Sequence, residues 1–411
     1  MVGSVGVMTG GYSGLRVLDL SQVIAGPFCT RLLSDLGADV IRIESRAGDI
    51  MRRLPIGYGT DLSTAFAQYN VGKRSVGIDL KSPAGLELAL QLAEQSDLVV
   101  ENFRPGTLDR LGLGYSALQE RNSRIVLCSI GLFGSTGPYS QMSGHGMVAE
   151  AYSGLMSLTG NDGGPFTHFG TPLGDMNAAV HAVAAIGSAL YQREQTGQGS
   201  HVDISSFDAL FAMIDQAVGQ AVFTGGEREY GRYGSKHPQT VPSGVLTTNS
   251  GAAVTFSAVG DGPWGTLAAL IGRPELADDP RFVDIESRIA NREELYEILD
   301  NWALRFGTAD DLVAALSAAG LPAARIRSVA ENVSDPHLIE RGTLAPVDMG
   351  GGTGEKLVQS APYVISGADV RPQSPPPHIG EHTSQVLTEL LRLPQSELDE
   401  LYAAGTIYTS N

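Results

Sequence analysis

The sequence predicts an α/β protein: a Rossmann-like large domain, its parallel sheet built from N- and C-terminal parts of the chain, plus a smaller α+β domain. Three observations lead there. Short apolar runs alternate with helical segments through the first half of the chain, the pattern of repeated strand–helix–strand units. The alternation stops at 224–242, a stretch rich in Gly, Tyr, Arg and Lys, and gives way to a hairpin and three helices. The length, 411 residues with 42% hydrophobic content, suits two or three domains at roughly 150 residues each.

Taken in order, 15–20 reads as a strand and 28–36 as a helix stopped by Gly37. Strands follow at 38–44 and 75–80. Ser82-Pro83 opens a helix to Gln95, with serine as N-cap and proline at the first helical position. Strands at 97–101 and 124–130 flank a short helix at 115–121. The apolar segment 178–192 reads as a helix, 200–204 as a strand and 207–222 as a helix. Beyond the connector, strands 243–248 and 252–259 pair around Asn249-Ser250-Gly251. Helices follow at 263–271, 292–306 and 309–319. Strands 343–349 and 355–364 are separated by Gly350-Gly351-Gly352, and terminal helices occupy 384–393 and 396–404. The large domain therefore comprises 15–223 and 335–411, the small domain 243–328, and the connectors 224–242 and 329–342. Residues 1–14 read as a loose extension.

A net charge of -17 argues against broad nucleic-acid binding and against an anionic membrane surface, both of which need a positive field. No apolar run approaches the roughly 18 residues that span a bilayer. The first 13 residues lack the basic start of a signal peptide, so a cytoplasmic location is expected. Cys29 and Cys128, the two cysteines, read as reduced core residues. The histidines show no metal-ligand spacing, so no metal site is predicted.

The turn after the first strand, Ser21-Gln22-Val23-Ile24-Ala25-Gly26-Pro27, lacks the Gly-x-Gly-x-x-Gly of dinucleotide sites. Basic residues gather near later strand ends: Arg42, Arg46, Arg52 and Arg53, then Lys73-Arg74, then Arg104 and Arg110. Phosphates are bound by such convergence; each residue taken singly reads rather as solvated surface charge. Gly174-Asp175 stands where a loop becomes a helix. A carboxylate there is either an N-cap or a nucleophile beside free backbone N–H groups that stabilise an oxyanion.

The motifs together resemble family III (CaiB/BaiF-type) CoA-transferases over nearly the whole length. The matching pieces are Leu15 to Asp19 with Ala25-Gly26-Pro27, Leu36 to Glu44, Asn70 to Ser75, Asp97 to Gly106, Gly134 to Tyr139, Gly174-Asp175, Thr196 to Gly199 and Gly380 to Thr383. The resemblance implies that Asp175 is the nucleophile, forming aspartyl anhydride and aspartyl-CoA thioester intermediates as CoA moves from an acyl-CoA to a small carboxylic acid. It implies CoA contacts at Val23, Ala25, Lys73, Arg74, Asn102, Phe103 and Arg110, with Arg42 and Arg46 toward the adenosine phosphates. It implies no permanently bound cofactor, since acyl-CoA is the substrate, and an interlocked homodimer. Formyl-CoA:oxalate transferases of this family carry glutamine where this chain has Ile24, and their glycine-rich small-domain loop is absent between Ser243 and Gly320. Formyl and oxalate are therefore not the expected substrates. Two alternatives stand beside this reading. One is α-methylacyl-CoA racemase chemistry, with His145 and Asp175 as the acid–base pair; the racemases have Gly-His-Asp where this chain has Gly144-His145-Gly146. The other is an inactive partner subunit, against which the intact Gly174-Asp175 speaks.

Overall fold

Strands hidden on both faces need apolar residues at nearly every position, and the first half of this chain supplies them. The computed structural model describes residues 10–58, 61–227, 230–350 and 352–410. Its main sheet contains β1 (Arg16–Asp19), β2 (Asp39–Glu44), β3 (Arg74–Ile78), β4 (Leu98–Glu101), β5 (Val126–Gly131), β6 (His201–Ser205) and β7 (Ile407–Tyr408). The order across the sheet is β7-β3-β2-β1-β4-β5-β6. All neighbours are parallel except β7, which runs antiparallel to β3. In register, Leu18 lies beside Ile41 on one side and Val99 on the other.

Alternate residues of each strand face opposite layers. Val17, Val40 and Val100 pack with Cys29, Leu32 and Leu33 of helix α1 (Ala25–Asp35). Leu18, Ile41 and Val99 pack on the other face with Leu88 and Leu92 of Pro83–Glu94 and with Val386 and Leu387 near the C-terminus. Both cysteines are buried and unpaired. The strand order reverses between β1 and β4, and in such sheets the crevice outside the carboxyl ends at that point is where ligands bind.

The chain divides into two compact units. The first comprises the described parts of Met1–Ser153, Gly170–Met213 and Val333–Asn411; the second comprises Gly154–Phe169 and Ile214–Asn332. The second unit thus takes in residues the sequence assigned to the large domain. Local bonds tie them there: Gly234 N–H donates to Gly160 O at 2.9 Å, and the Arg232 guanidinium lies 4.5 Å from the Phe166 ring centre. The expected helix 207–222 is two helices, Ser206–Phe211 and Asp215–Phe223, because the chain passes from one unit to the other between Met213 and Ile214. The second unit has a three-stranded antiparallel sheet of Ser243–Thr247, Ala253–Ser257 and Ala323–Arg325. Its core holds Trp264, Phe282, Leu295, Leu299 and Leu312. The third strand escaped the sequence reading because Ala323-Ala324-Arg325 has little β propensity.

Residues 10–14, expected to be loose, are tied in: Tyr12 N–H donates to Leu36 O at 2.9 Å, and its ring packs on the core. Residues 1–9 of that extension lie outside the described residues. Strands Leu344–Asp348 and Glu355–Gln359 pair antiparallel; Gly351 of the turn between them lies outside the described residues. Among the described residues no helix is long and apolar enough to cross a membrane.

Candidate active site

Asp175 is the third residue of a long helix, α3 (Leu173–Thr196), preceded by the shorter α2 (Gly146–Tyr152). Asp175 is not the N-cap. That position belongs to Pro172, and no side chain caps the helix. The carboxylate meets the start of α2 instead, where the Gly146 backbone N–H bonds it. The two helix starts touch so closely that only glycine fits at the contact. A Cβ on Gly174 would stand 2.7 Å from the Gly146 carbonyl oxygen and 2.9 Å from its Cα, and one on Gly146 would stand 2.6 Å from Asp175 Oδ2. Gly174→Ala is expected to force the helix starts apart, destabilise by about 1–3 kcal/mol and reduce kcat by roughly 100-fold as Asp175 is displaced; urea unfolding and steady-state kinetics measure both.

Burial pushes the Asp175 carboxyl above its ordinary 3.8 and Glu150 adds to the rise, while the Gly146 N–H and His145 pull it back. A poorly solvated carboxylate is a stronger base and nucleophile once ionised. If the ionised form attacks, activity is lost as pH falls through the raised pKa. The acid limb of kcat/KM is therefore expected above pH 3.8, and a pH–rate profile locates it.

Asp175 lines a cavity of about 230 Å3 with Val23, Ile24, Ala25, His145 and Phe133. This cavity lies at the reversal point of the sheet, since the loops after β1 and β4 both enter its wall. Asn102 fastens those loops together. Its Oδ1 accepts from Gln22 N–H at 2.8 Å and its Nδ2 donates to Gln22 O at 2.7 Å. Phe103 is shared with two further cavities. One, of about 530 Å3, carries Arg104, Arg110 and Tyr115; the other, of about 510 Å3, carries Arg46, Lys81 and Tyr408. Val23 has φ 67°, a strained conformation for a β-branched residue that costs about 1 kcal/mol or more. Among the described residues no group of three or more His, Cys, Asp or Glu side chains is placed to hold a metal ion.

The CoA-transferase family III model matches residues 12–383. The chain belongs to CoA-transferase family III. It is an enzyme, and its family transfers CoA between an acyl-CoA and a carboxylate. It is 35% identical to a succinyl-CoA–D-citramalate CoA-transferase of Chloroflexus aurantiacus, over 96% of this chain and 97% of that one. It is 34% identical to a succinyl-CoA:mesaconate CoA-transferase of Haloarcula hispanica, over 92% and 96%. A CaiB/BaiF family protein from Brucella suis has a crystal structure that matches with a TM-score of 0.82 at 34% identity, covering 93% of this chain and 100% of that one. Relatives named as CoA-transferases do not favour the racemase alternative.

Within this family III chain the basic residues singled out by sequence divide into two groups. Arg46 and Arg110 are exposed and line cavities. Arg46 lies 4.6 Å from the Tyr408 ring centre, and Arg110 Nη2 donates to Thr107 Oγ1 at 2.8 Å. The side chains of Lys73, Arg42 and Arg74, expected at the coenzyme, are engaged with partners inside the protein. Lys73 is 1% exposed, and its ammonium donates to Asp19 Oδ2, Pro27 O and Asn70 Oδ1 at 2.9–3.0 Å. Arg42 is equally buried, against Asp49 at 2.6 Å and Asp19 at 3.6 Å. Arg74 pairs with Asp39 at 2.6 Å and Glu389 at 2.8 Å and lines none of these three cavities. Burial pulls the Lys73 ammonium down to about 8 against the attraction of Asp19. Burial would raise Asp19, but Lys73 and Arg42 together hold it down at about 2. The partners differ because Asp19 faces two cations, whereas Lys73 faces Asp19 and is repelled by Arg42 and Arg31.

Sequence reasoning missed Tyr69, Gly146, Glu150 and Lys81. Tyr69 lies near enough to Asp175 for the carboxylate to add to the rise that burial causes in its phenol. Its position directly before Asn70-Val71-Gly72-Lys73-Arg74 was the available signal. Gly146 follows His145, but nothing local marks it as the neighbour of Gly174.

Proposed function

We propose that this protein transfers CoA from a dicarboxylic acyl-CoA to a small carboxylic acid through covalent intermediates on Asp175. One observation carries the reading: a half-buried carboxylate of raised pKa, bonded by a backbone N–H, in a cavity reached from both loops at the sheet's reversal point. An ionised Asp175 oxygen attacks the thioester carbonyl, and the CoA thiolate leaves, giving a mixed anhydride. The thiolate then attacks the aspartyl carbonyl and expels the first carboxylate, leaving aspartyl-CoA. The acceptor carboxylate attacks that thioester and releases thiolate again. Attack of the thiolate on the acyl carbonyl of the second anhydride yields the new acyl-CoA and free Asp175. No external base is required, because every nucleophile is a carboxylate or a thiolate.

The cavity of about 230 Å3 suits the acyl end, and the flanking cavities with Arg46 and Arg110 suit the phosphates and adenosine. Val23, Ala25 and Asn102 line the acyl cavity, and Phe103 stands in all three. The substrate class rests on the succinyl-CoA donors named for the relatives. The working unit is a homodimer, as the family resemblance implies. The test is to incubate the protein with succinyl-CoA, trap with hydroxylamine or borohydride, and map the product by mass spectrometry. Modification at Asp175 supports the reading; an unmodified Asp175 in a turning-over enzyme refutes it. A substrate panel without preference for dicarboxylic over monocarboxylic acids refutes the substrate class alone.

A further inference from the structure

Val23 keeps a branched side chain in a backbone conformation that glycine would adopt freely. Its side chain is 40% exposed, so packing does not hold it there. Asp49 does. Val23 N–H donates to Asp49 Oδ2 at 2.9 Å, and that oxygen also accepts from Arg42 Nη2 at 2.6 Å. The other oxygen, Oδ1, accepts from Met51 N–H at 2.9 Å. Asp49 is buried, at 3% exposure, so it has little freedom to let go. Arg42 in turn lies 3.6 Å from Asp19 and donates to Asn70 Oδ1 at 3.1 Å, and Lys73 bonds both of these.

We propose that Asp49 is a positioning residue for CoA transfer. Anchored on the buried Arg42–Asp19–Lys73 network, it holds Val23 in the left-handed conformation and so fixes the loop 21–25 as the wall against which the thioester meets Asp175. This rests on the reading of Asp175 as the group where transfer occurs. Arg42 and Lys73 thereby take a part in coenzyme binding through the loop. A strained turn kept by a buried brace is rigid before substrate arrives, which is what a site needs to align a thioester with a nucleophile. Asn102 clamps Gln22 from the other side, leaving Val23 the position at which the loop would otherwise relax.

The experiment is a double-mutant cycle with Asp49→Asn and Val23→Gly. Asparagine keeps an acceptor for Met51 N–H but removes the charge shared by Arg42 and Val23. In the otherwise wild-type protein Asp49→Asn is expected to raise KM for succinyl-CoA by about tenfold with a smaller change in kcat. In the Val23→Gly background, where the conformation needs no brace, the same change is expected to cost less than about twofold. Equal costs in the two backgrounds overturn the proposal, because a purely structural Asp49 would not sense residue 23. If Asp49→Asn fails to fold, amide exchange in the wild-type protein decides. Val23 N–H must be protected despite its exposed side chain, and exchange at the rate of an unstructured peptide overturns the brace. The same cycle read in the dissociation constant of free CoA, in an Asp175→Ala protein, needs no turnover. A failure of the brace is thus distinguishable from a failure of the covalent reading, which an active Asp175→Ala would signal.

Discussion

Asp175→Ala is expected to lower the rate of CoA transfer by roughly a thousandfold or more while leaving the fold intact. The carboxylate is the nucleophile of the proposed sequence of steps, and removing a nucleophile removes the covalent route altogether. Stability tells the catalytic role from the capping role. An N-cap aspartate replaced by alanine costs about 1 kcal/mol. Asp175 does not cap its own helix, since Pro172 holds that position without a side-chain bond, and the burial that disfavours its charge outweighs the bond from Gly146 N–H. Urea unfolding of Asp175→Ala is therefore expected to give a midpoint equal to or above wild type. A marked loss of stability with activity retained would return the residue to a structural role.

Lys73→Ala is expected to do the reverse: a large loss of stability. Were Lys73 a coenzyme contact, its removal would raise KM and leave folding unaffected. Its ammonium instead sits beneath the sheet's strand ends, 3.0 Å from a fully buried Asp19. Removing one partner of such a pair leaves the other charge undercompensated, at a cost of about 3 kcal/mol or more. Arg42 at 3.6 Å and the hydroxyls of Ser21 and Thr30 soften that cost without abolishing it. The pH dependence gives an independent sign. Asp19 is depressed to about 2 from 3.8, so its contribution is fully present above pH 3.8 and is lost as the pH falls through about 2. Without Lys73 the depression shrinks, and the acid-unfolding midpoint moves to higher pH. Circular dichroism across an acid titration of the two proteins measures the displacement.

Much of the architecture was legible in sequence because it rests on local periodicity. The strands β1 to β6 and the helix capped by Ser82 follow from apolar alternation and capping residues, and Ser82 does accept from Gly85 N–H at 3.0 Å. Two-residue β7 and the alanine-rich strand Ala323–Arg325 were not legible, because pairing with β3 and with Ala253–Ser257 makes them strands, not their own propensity. The break between Ser206–Phe211 and Asp215–Phe223 is likewise invisible in a continuous apolar run.

The candidate site divides along the same line. The residues themselves singled out Gly174-Asp175, at the start of a readable helix, and the family resemblance singled out Val23, Ala25 and Asn102-Phe103, which follow readable strands. The sequence also marked Arg42, Lys73 and Arg74 as basic residues near strand ends, and it had no means to tell an exposed cation from a buried one. That distinction depends on partners distant in the chain: Asp19 lies 54 positions from Lys73, and Glu389 lies 315 from Arg74. The energy of a charge is set by what surrounds it within a few ångströms, and only the tertiary structure brings those surroundings together. For the same reason the sequence left Asp175 open to a reading as N-cap, which the structure assigns to Pro172, while Gly146, from another helix, presses against Gly174 and bonds the carboxylate. The sequence determined which residues are candidates for the proposed acyl transfer; the packing of two helix starts and one buried ion network decided which side chains are buried against partners and which face a cavity.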